Sequence, residues 1–339
     1  MTIVESLPHP IVLAPLAGGP STPELAAAVN EAGGFGFLAA GYLSAEELAR
    51  RIARLRELSD KPFGVNLFVP SAPTDPAAFA PYVELVVAEA EAAGLPVGEP
   101  TYTDDAWDAK LDVLASDPPA LVSLTFDCPS PEVIARIKAA GSEVWVTVTT
   151  PDEAETAKAA GADGVALQGG EAGGHRGTFV NAPGMPTYSV LALLQLTADL
   201  GLPRMAAGGL MTGGAVAAVL RAGAAAAVLG TAFLRCPEAG TSQPHREALT
   251  SGRPTRLTQS FSGRMARGIV NDFMARHDGH AVAAYPEINS LTSPLRAAAR
   301  ARGDAEWINL WAGQAYPLAR ELPAAGVVAT IAAELARAV

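Results

Sequence analysis

Only two cysteines, Cys128 and Cys236, occur in the 339 residues, too few and too far apart for a disulfide framework or a zinc site. A reducing, cytoplasmic compartment is expected. Lysine is almost as scarce: Lys61, Lys110, Lys138 and Lys158 are the only ones, and none falls at the carboxyl end of an expected strand. That excludes a Schiff-base aldolase, whose chemistry needs an amine in the active-site mouth. Charged residues make up 17% of the chain, and Asp plus Glu outnumber Lys plus Arg by 35 to 24, for a net charge of −11. With no basic patch, nucleic acid and anionic membrane surfaces are not expected partners. The longest uncharged run, residues 177–198, contains Pro183, Gly184 and Pro186, which a membrane-spanning helix tolerates poorly. The amino-terminal Met1-Thr2-Ile3-Val4-Glu5 has no basic segment before an apolar one, so no secretory signal is expected. His9, His245, His277 and His280 stand in polar, loop-like surroundings, and His277 with His280 has no cysteine or carboxylate at ligand spacing beyond Asp278, so no metal site is expected.

What the chain has in abundance is short apolar runs separated by alanine-rich helical stretches, with glycine as punctuation. Runs apolar at nearly every position mark strands buried on both faces. Eight are predicted: residues 11–16, 35–39, 63–68, 120–125, 144–149, 164–168, 204–207 and 226–229. Helices are predicted over 23–31, 45–58, 77–93, 131–140, 151–160, 187–199 and 214–222, with Ser21, Ser44, Ser130 and Thr150 near their starts as caps. Eight alternations with right-handed crossovers close most naturally into a (β/α)8 barrel, a TIM barrel, over residues 1–237. Two connections, 69–119 and 169–203, are enlarged, and loops at the carboxyl ends of barrel strands are where active sites are built. After residue 237 the alternation stops. Residues 238–339 read as a mainly helical carboxy-terminal extension of loops and helices that covers the barrel mouth.

Two glycine turns close the last two strands, Ala207-Gly208-Gly209 and Gly230-Thr231. Backbone N–H groups exposed there can cradle a phosphate without any lysine, although tight corners alone would also explain the glycines. At the end of the sixth strand stands Gln168-Gly169-Gly170-Glu171-Ala172-Gly173-Gly174-His175-Arg176-Gly177. Its glycines let backbone approach a flat ligand and present His175, which can take a proton from a carbon acid or, once protonated, hold an anion. Gln168 can donate and accept at a heterocycle edge. The bland alternatives are a turn-capping histidine and a surface Glu171–Arg176 pair. Asn66, a polar amide in the otherwise apolar third strand, needs a partner in backbone or ligand. Pro15, in the first-strand turn Ala14-Pro15-Leu16-Ala17-Gly18-Gly19, lies where the chain can approach a ligand closely or make a rigid turn.

Together these motifs resemble the nitronate monooxygenase family, formerly the 2-nitropropane dioxygenases, in its class I branch. The resemblance covers nearly the whole chain: residues 15–42 (PLAGGPSTPELAAAVNEAGGFGFLAAGY), 62–68 (PFGVNLF), 168–177 (QGGEAGGHRG), 207–209 (AGG), 230–233 (GTAF), 261–268 (FSGRMARG), 285–296 (YPEINSLTSPLR) and 310–314 (LWAGQ). It implies an FMN-dependent barrel in which Pro15, Asn66, Gln168, Gly173, Gly208, Gly209, Gly230 and Thr231 contact FMN, the last four near its phosphate, and His175 is the catalytic residue. The implied reaction is oxidation of an alkyl nitronate, such as propionate 3-nitronate, with O2 to a carbonyl compound and nitrite, through an anionic flavin semiquinone. Small-molecule nitronates or nitroalkanes and O2 are then its partners. The alternative on the same barrel is an FMN-dependent NAD(P)H:quinone or enoyl-thioester reductase, and a flavin-free phosphate-ligand binder is a third reading.

Overall fold

A computed structural model describes residues 1–338. In chain order its elements are β1 (Ile11–Leu13), α1 (Pro23–Glu31), β2 (Phe37–Ala39), α2 (Ala45–Leu58), β3 (Gly64–Phe68), α3 (Pro76–Ala92), α4 (Trp107–Ser116), β4 (Leu121–Thr125), α5 (Pro131–Ala139), β5 (Glu143–Val148), α6 (Pro151–Ala159), β6 (Gly164–Gln168), β7 (Gly174–His175), α7 (Val190–Leu196), β8 (Arg204–Ala207), α8 (Gly213–Arg221) and β9 (Ala226–Leu229). The remainder holds α9 (Gln243–Ala248), β10 (Thr255–Thr258), β11 (Ala266–Ile269), α10 (Asp272–His277), α11 (Glu287–Ala301) and α12 (Ala324–Ala338). Eight strands pair in parallel in the order β1-β9-β8-β6-β5-β4-β3-β2. A parallel bridge from Val12 to Phe35, with the Leu13 N–H donating to the Phe35 carbonyl at 2.9 Å, joins the two ends. The expected (β/α)8 barrel is borne out, and each barrel strand coincides with an expected apolar run.

The strands read clearly because they are buried on both faces. Outward side chains such as Leu13, Val65, Leu124, Val146 and Leu229 pack under the helices. Inward ones, among them Val12, Phe37, Leu121, Trp145, Met205 and Val228, fill the barrel itself. Helix starts follow the chemistry of capping. Ser44 Oγ accepts from Glu47 N–H at 3.2 Å and Thr150 Oγ1 from Glu153 N–H at 3.1 Å, each relieving one orphan donor. Thr22 rather than Ser21 caps α1. The Ser21 hydroxyl instead accepts from Leu16 N–H at 2.8 Å and ties down the turn after β1. Ser130 occupies the cap position of α5 without a side-chain bond.

Three features depart from the sequence reading. The stretch 69–119 holds a second helix, α4, which packs on α2 and α5 as the barrel helix, while α3 leans toward α11. The region after residue 237 contains a hairpin: β10 pairs with β11, and β11 pairs antiparallel with β7 in the histidine loop, Ala266 opposite His175 and Arg267 opposite Gly174. Finally, α12 packs between α8 and α1 and so takes the eighth helical position of the barrel. The rest of the extension shares a core with α3, built from Phe79, Tyr82, Phe261, Phe273, Leu291 and Leu310. Among the described residues no helix is long and apolar enough to cross a membrane.

Candidate active site

A cavity of about 560 Å³ opens at the carboxyl ends of the strands, and all eight barrel strands or their following turns contribute to its wall. Pro15, Asn66, Gln168, Gly173, His175, Gly208, Gly209, Gly230 and Thr231 all line it. Their roles in the fold differ. Asn66 is buried, and its Nδ2 donates to the Ser123 carbonyl at 3.1 Å, Ser123 Oγ at 2.8 Å and Thr125 Oγ1 at 3.0 Å. Thr125 Oγ1 in turn donates to Thr147 Oγ1 at 3.0 Å, so a polar seam crosses β3, β4 and β5 at the cavity wall. Gln168 spends both ends of its amide on the histidine loop: Nε2 donates to the His175 carbonyl at 2.9 Å and Oε1 accepts from Gly177 N–H at 2.8 Å.

After the neighbouring strand β8, Gly208 and Gly209 take φ of 136° and 67°, backbone conformations that a side chain would strain. Among the described residues, the N–H groups of Gly208, Gly209 and Gly230 find no acceptor in the protein, which leaves three donors for a ligand. Thr231 Oγ1 accepts from Gly313 N–H at 3.0 Å, and Glu171 O accepts from Gln314 N–H at 3.0 Å. The extension is thereby pinned against both the last-strand turn and the histidine loop. Glu171 does not pair with Arg176. Its carboxylate accepts from Val190 N–H, while buried Arg176 donates to the Gln168 carbonyl.

His175 sits in an aromatic frame of Phe126, Tyr285 and Trp311, with ring centroids 5.7, 5.8 and 5.5 Å away. Its Nε2 lies 2.8 Å from Ser262 Oγ. Two guanidinium groups stand nearby. Arg264 stacks over the Phe126 ring, 4.0 Å from its centroid, and donates to the Thr178, Phe126 and Arg176 carbonyls. Arg296 donates to Asn289 Oδ1 at 2.7 Å and Ser293 Oγ at 2.9 Å. Among the described residues neither guanidinium bonds to a carboxylate. Burial, reinforced by the charges of Arg264 and Arg296, pushes the His175 imidazole down to about 3. The histidine is therefore neutral near pH 7. A neutral imidazole has a lone pair free to take a proton and no charge with which to hold an anion. Burial lowers both arginines only to about 10, so they stay charged and make the region around His175 electropositive.

Residue types alone do not single out Phe126, Ser262, Arg264 or Trp311, nor do they place Tyr285, Asn289 and Ser293 at the site. For α11 a signal existed: Asn289, Ser293, Arg296 and Arg300 recur at i, i+4, i+7 and i+11, a polar stripe along one helix face, and all four line the cavity. Ser262 and Arg264 carry no comparable local pattern. The thiols of Cys128 and Cys236 are pushed up to about 11 and about 12 by burial, which favours the protonated form of both.

A family model described as nitronate monooxygenase matches residues 2–334. A nitronate monooxygenase of Pseudomonas aeruginosa is 42% identical over 338 residues, covering 96% of each chain. Among solved structures, a nitroalkane oxidase from Streptomyces ansochromogenes superposes with a TM-score of 0.97 at 49% identity, over 99% of this chain and 98% of that one. FabK from Thermotoga maritima superposes with a TM-score of 0.78 at 25% identity, over 99% and 96%.

Proposed function

This chain belongs to the nitronate monooxygenase family, and on that premise we propose that it binds FMN and oxidises alkyl nitronates with O2 to a carbonyl compound and nitrite. The observation that carries the proposal is the neutral imidazole of His175 at the wall of a cavity that also offers free backbone donors. The residues present fit FMN. Gly208, Gly209 and Gly230 supply N–H groups suited to a phosphate, where any Cβ at Gly230 would press on Leu16 and Ala14. Asn66, backed by Ser123 and Thr125, and the apolar turn at Pro15 offer a polar edge and a flat wall for the ring system. When bound, FMN supplies the electron acceptor and hands the electrons on to O2.

The chain's own residues then do three things. Arg264 and Arg296, both charged, raise the local positive potential and so favour an anionic nitronate in the cavity. Phe126, Tyr285 and Trp311 exclude water around the imidazole and fix its plane. For a neutral nitroalkane, His175 takes the proton from the carbon next to the nitro group, and the C–H electron pair stays behind to form the nitronate. The test is anaerobic mixing of the FMN-loaded protein with propionate 3-nitronate, followed through the flavin spectrum. Loss of the oxidised flavin bands is expected. A protein that purifies colourless and takes up no added FMN would refute the cofactor reading. Bleaching by NADH or NADPH but not by the nitronate would instead favour a nicotinamide-driven reductase.

A further inference from the structure

We propose that Ser262 is a positioning residue that fixes the tautomer of His175, holding the proton on Nε2 so that the lone pair of Nδ1 faces the cavity as the base. The inference rests on His175 being the residue that acts on substrate. It comes from the hydrogen-bond capacity of one buried hydroxyl. Ser262 is 1% exposed and sits in the turn between β10 and β11. Three polar atoms lie within bonding distance of its Oγ: His175 Nε2 at 2.8 Å, the Arg264 carbonyl at 3.2 Å and the Arg264 N–H at 3.4 Å.

A hydroxyl has one proton to donate and two lone pairs to accept with. The Arg264 N–H must donate, so it takes one lone pair. The Arg264 carbonyl can only accept, and among the described residues it accepts from no other donor. Arg264 is itself 1% exposed, so leaving that carbonyl bare would cost about 1–3 kcal/mol. Giving it the hydroxyl proton leaves one lone pair of Ser262, which must receive a proton from His175 Nε2. All three contacts are then satisfied. The reverse tautomer, with Ser262 donating to Nε2, strands the carbonyl.

Among the described residues Nδ1 has no hydrogen-bond partner and is not one of the fully buried unpartnered side-chain atoms, and His175 lines the cavity. It therefore presents a lone pair to the space where a substrate carbon would lie. On proton abstraction the C–H proton moves to Nδ1, the bonding pair stays on the substrate as the nitronate, and the imidazolium keeps donating through Nε2 to Ser262. The turn that carries Ser262 is itself anchored. Arg264 bonds the Thr178 and Phe126 carbonyls, and Arg176 N–H donates to the Met265 carbonyl at 2.7 Å, so the hydroxyl is held where the imidazole needs it.

The direct test is nitrogen NMR of the FMN-loaded protein with ¹⁵N-labelled histidine, the His175 signals being assigned by their loss in His175→Gln. At neutral pH, Nε2 is expected in the protonated range and Nδ1 in the unprotonated range. The opposite pattern overturns the proposal without any variant of Ser262. Kinetics supply the second arm, with nitroethane as the neutral substrate and ethyl nitronate as its preformed anion. Ser262→Ala is expected to lose on the order of tenfold in kcat/KM for nitroethane, one hydrogen bond's worth, and to oxidise ethyl nitronate within about twofold of the parent. Ser262→Thr should restore the nitroethane rate, because it returns the hydroxyl. An unchanged nitroethane-to-nitronate ratio in Ser262→Ala, while His175→Gln has lost nitroethane turnover, sinks the tautomer proposal alone. Nitroethane turnover surviving in His175→Gln, or missing in the unaltered protein, sinks the reading of His175 as the base.

Discussion

Placing a single methyl group at Gly173 is a sharp test of how the extension completes the proposed FMN site. The φ of Gly173 lies outside the left-handed region, so alanine is acceptable to the backbone there. Space is not available. A Cβ would stand 2.5 Å from the backbone nitrogen of Gly313 and closer still to the carbonyl carbon of Ala312. Carbon contacts settle near 3.5–4.0 Å, so one strand of backbone must retreat by about 1 Å. The segment that retreats carries the Gly313 N–H bond to Thr231 Oγ1 and the Gln314 N–H bond to Glu171 O, both 3.0 Å. Overpacking of this kind costs about 1–3 kcal/mol, and much of it should fall on the cofactor, because both bonds hold turns that face the ligand. Gly173→Ala should therefore bind FMN roughly 5- to 150-fold more weakly. Titration of apoprotein by flavin fluorescence quenching measures this. Gly201→Ala is the control: φ is 75°, nothing lies within 4 Å of its Cβ, and the residue is remote from the cavity, so it should strain the fold and leave FMN affinity alone. A Gly173→Ala protein that binds FMN within twofold of the parent would refute the idea that the extension braces the site.

Half-buried His175 and buried His245 contribute to the response to acid. His175 and His245 are held neutral, at about 3 and about 4 against 6.5 for a free side chain, chiefly by burial. The unfolded chain takes up protons below pH 6.5 that the fold refuses, so stability is complete above that pH and falls toward pH 4, by about 1.4 kcal/mol per pH unit for each histidine. Urea midpoints measured between pH 7 and 4.5 should show that slope, and a flat profile would contradict it. Asn66→Leu removes the donor to Ser123 and Thr125 and should lower stability by about 1–3 kcal/mol and weaken FMN binding together, read by urea unfolding and flavin titration. Gly213→Ala should act differently, because its Cβ would collide with Leu335 N and Glu334 Cβ on α12, and Gly213 itself does not line the cavity. A loss of about 1–3 kcal/mol in stability with unchanged FMN affinity is expected, and equal stability would contradict α12 as a packed barrel helix.

The parts of the molecule legible in the sequence are those whose physics is local. Leu121, Val122 and Leu124, or Val144 and Val146, are apolar in succession because a parallel strand is covered on both faces, and no distant information is needed to read them. Glycines at 208, 209 and 230 announce free backbone in the same local way. The hairpin of the extension is different. Strand β10 carries charged Arg256 on a half-exposed edge, and β7 is only two residues, Gly174 and His175, whose partner lies some ninety positions on in Ala266 and Arg267. Neither length nor alternation marks such a strand; only the closed barrel brings the pieces together.

The same distance explains why His175 could be picked out and its chemistry could not. A glycine-rich loop singles out the residue, yet its protonation depends on Arg264 and Arg296, its packing on Phe126, Tyr285 and Trp311, and its second nitrogen on Ser262. All of these except Phe126 come from after residue 237. The barrel supplies the floor and the free donors of the cavity, but a barrel ending at β9 would leave His175 without Arg264, Arg296, Tyr285, Trp311 and Ser262 around it. The extension is thus more than a cover over the mouth, because on top of burial it supplies the positive field that keeps this imidazole neutral and the hydroxyl that its Nε2 meets.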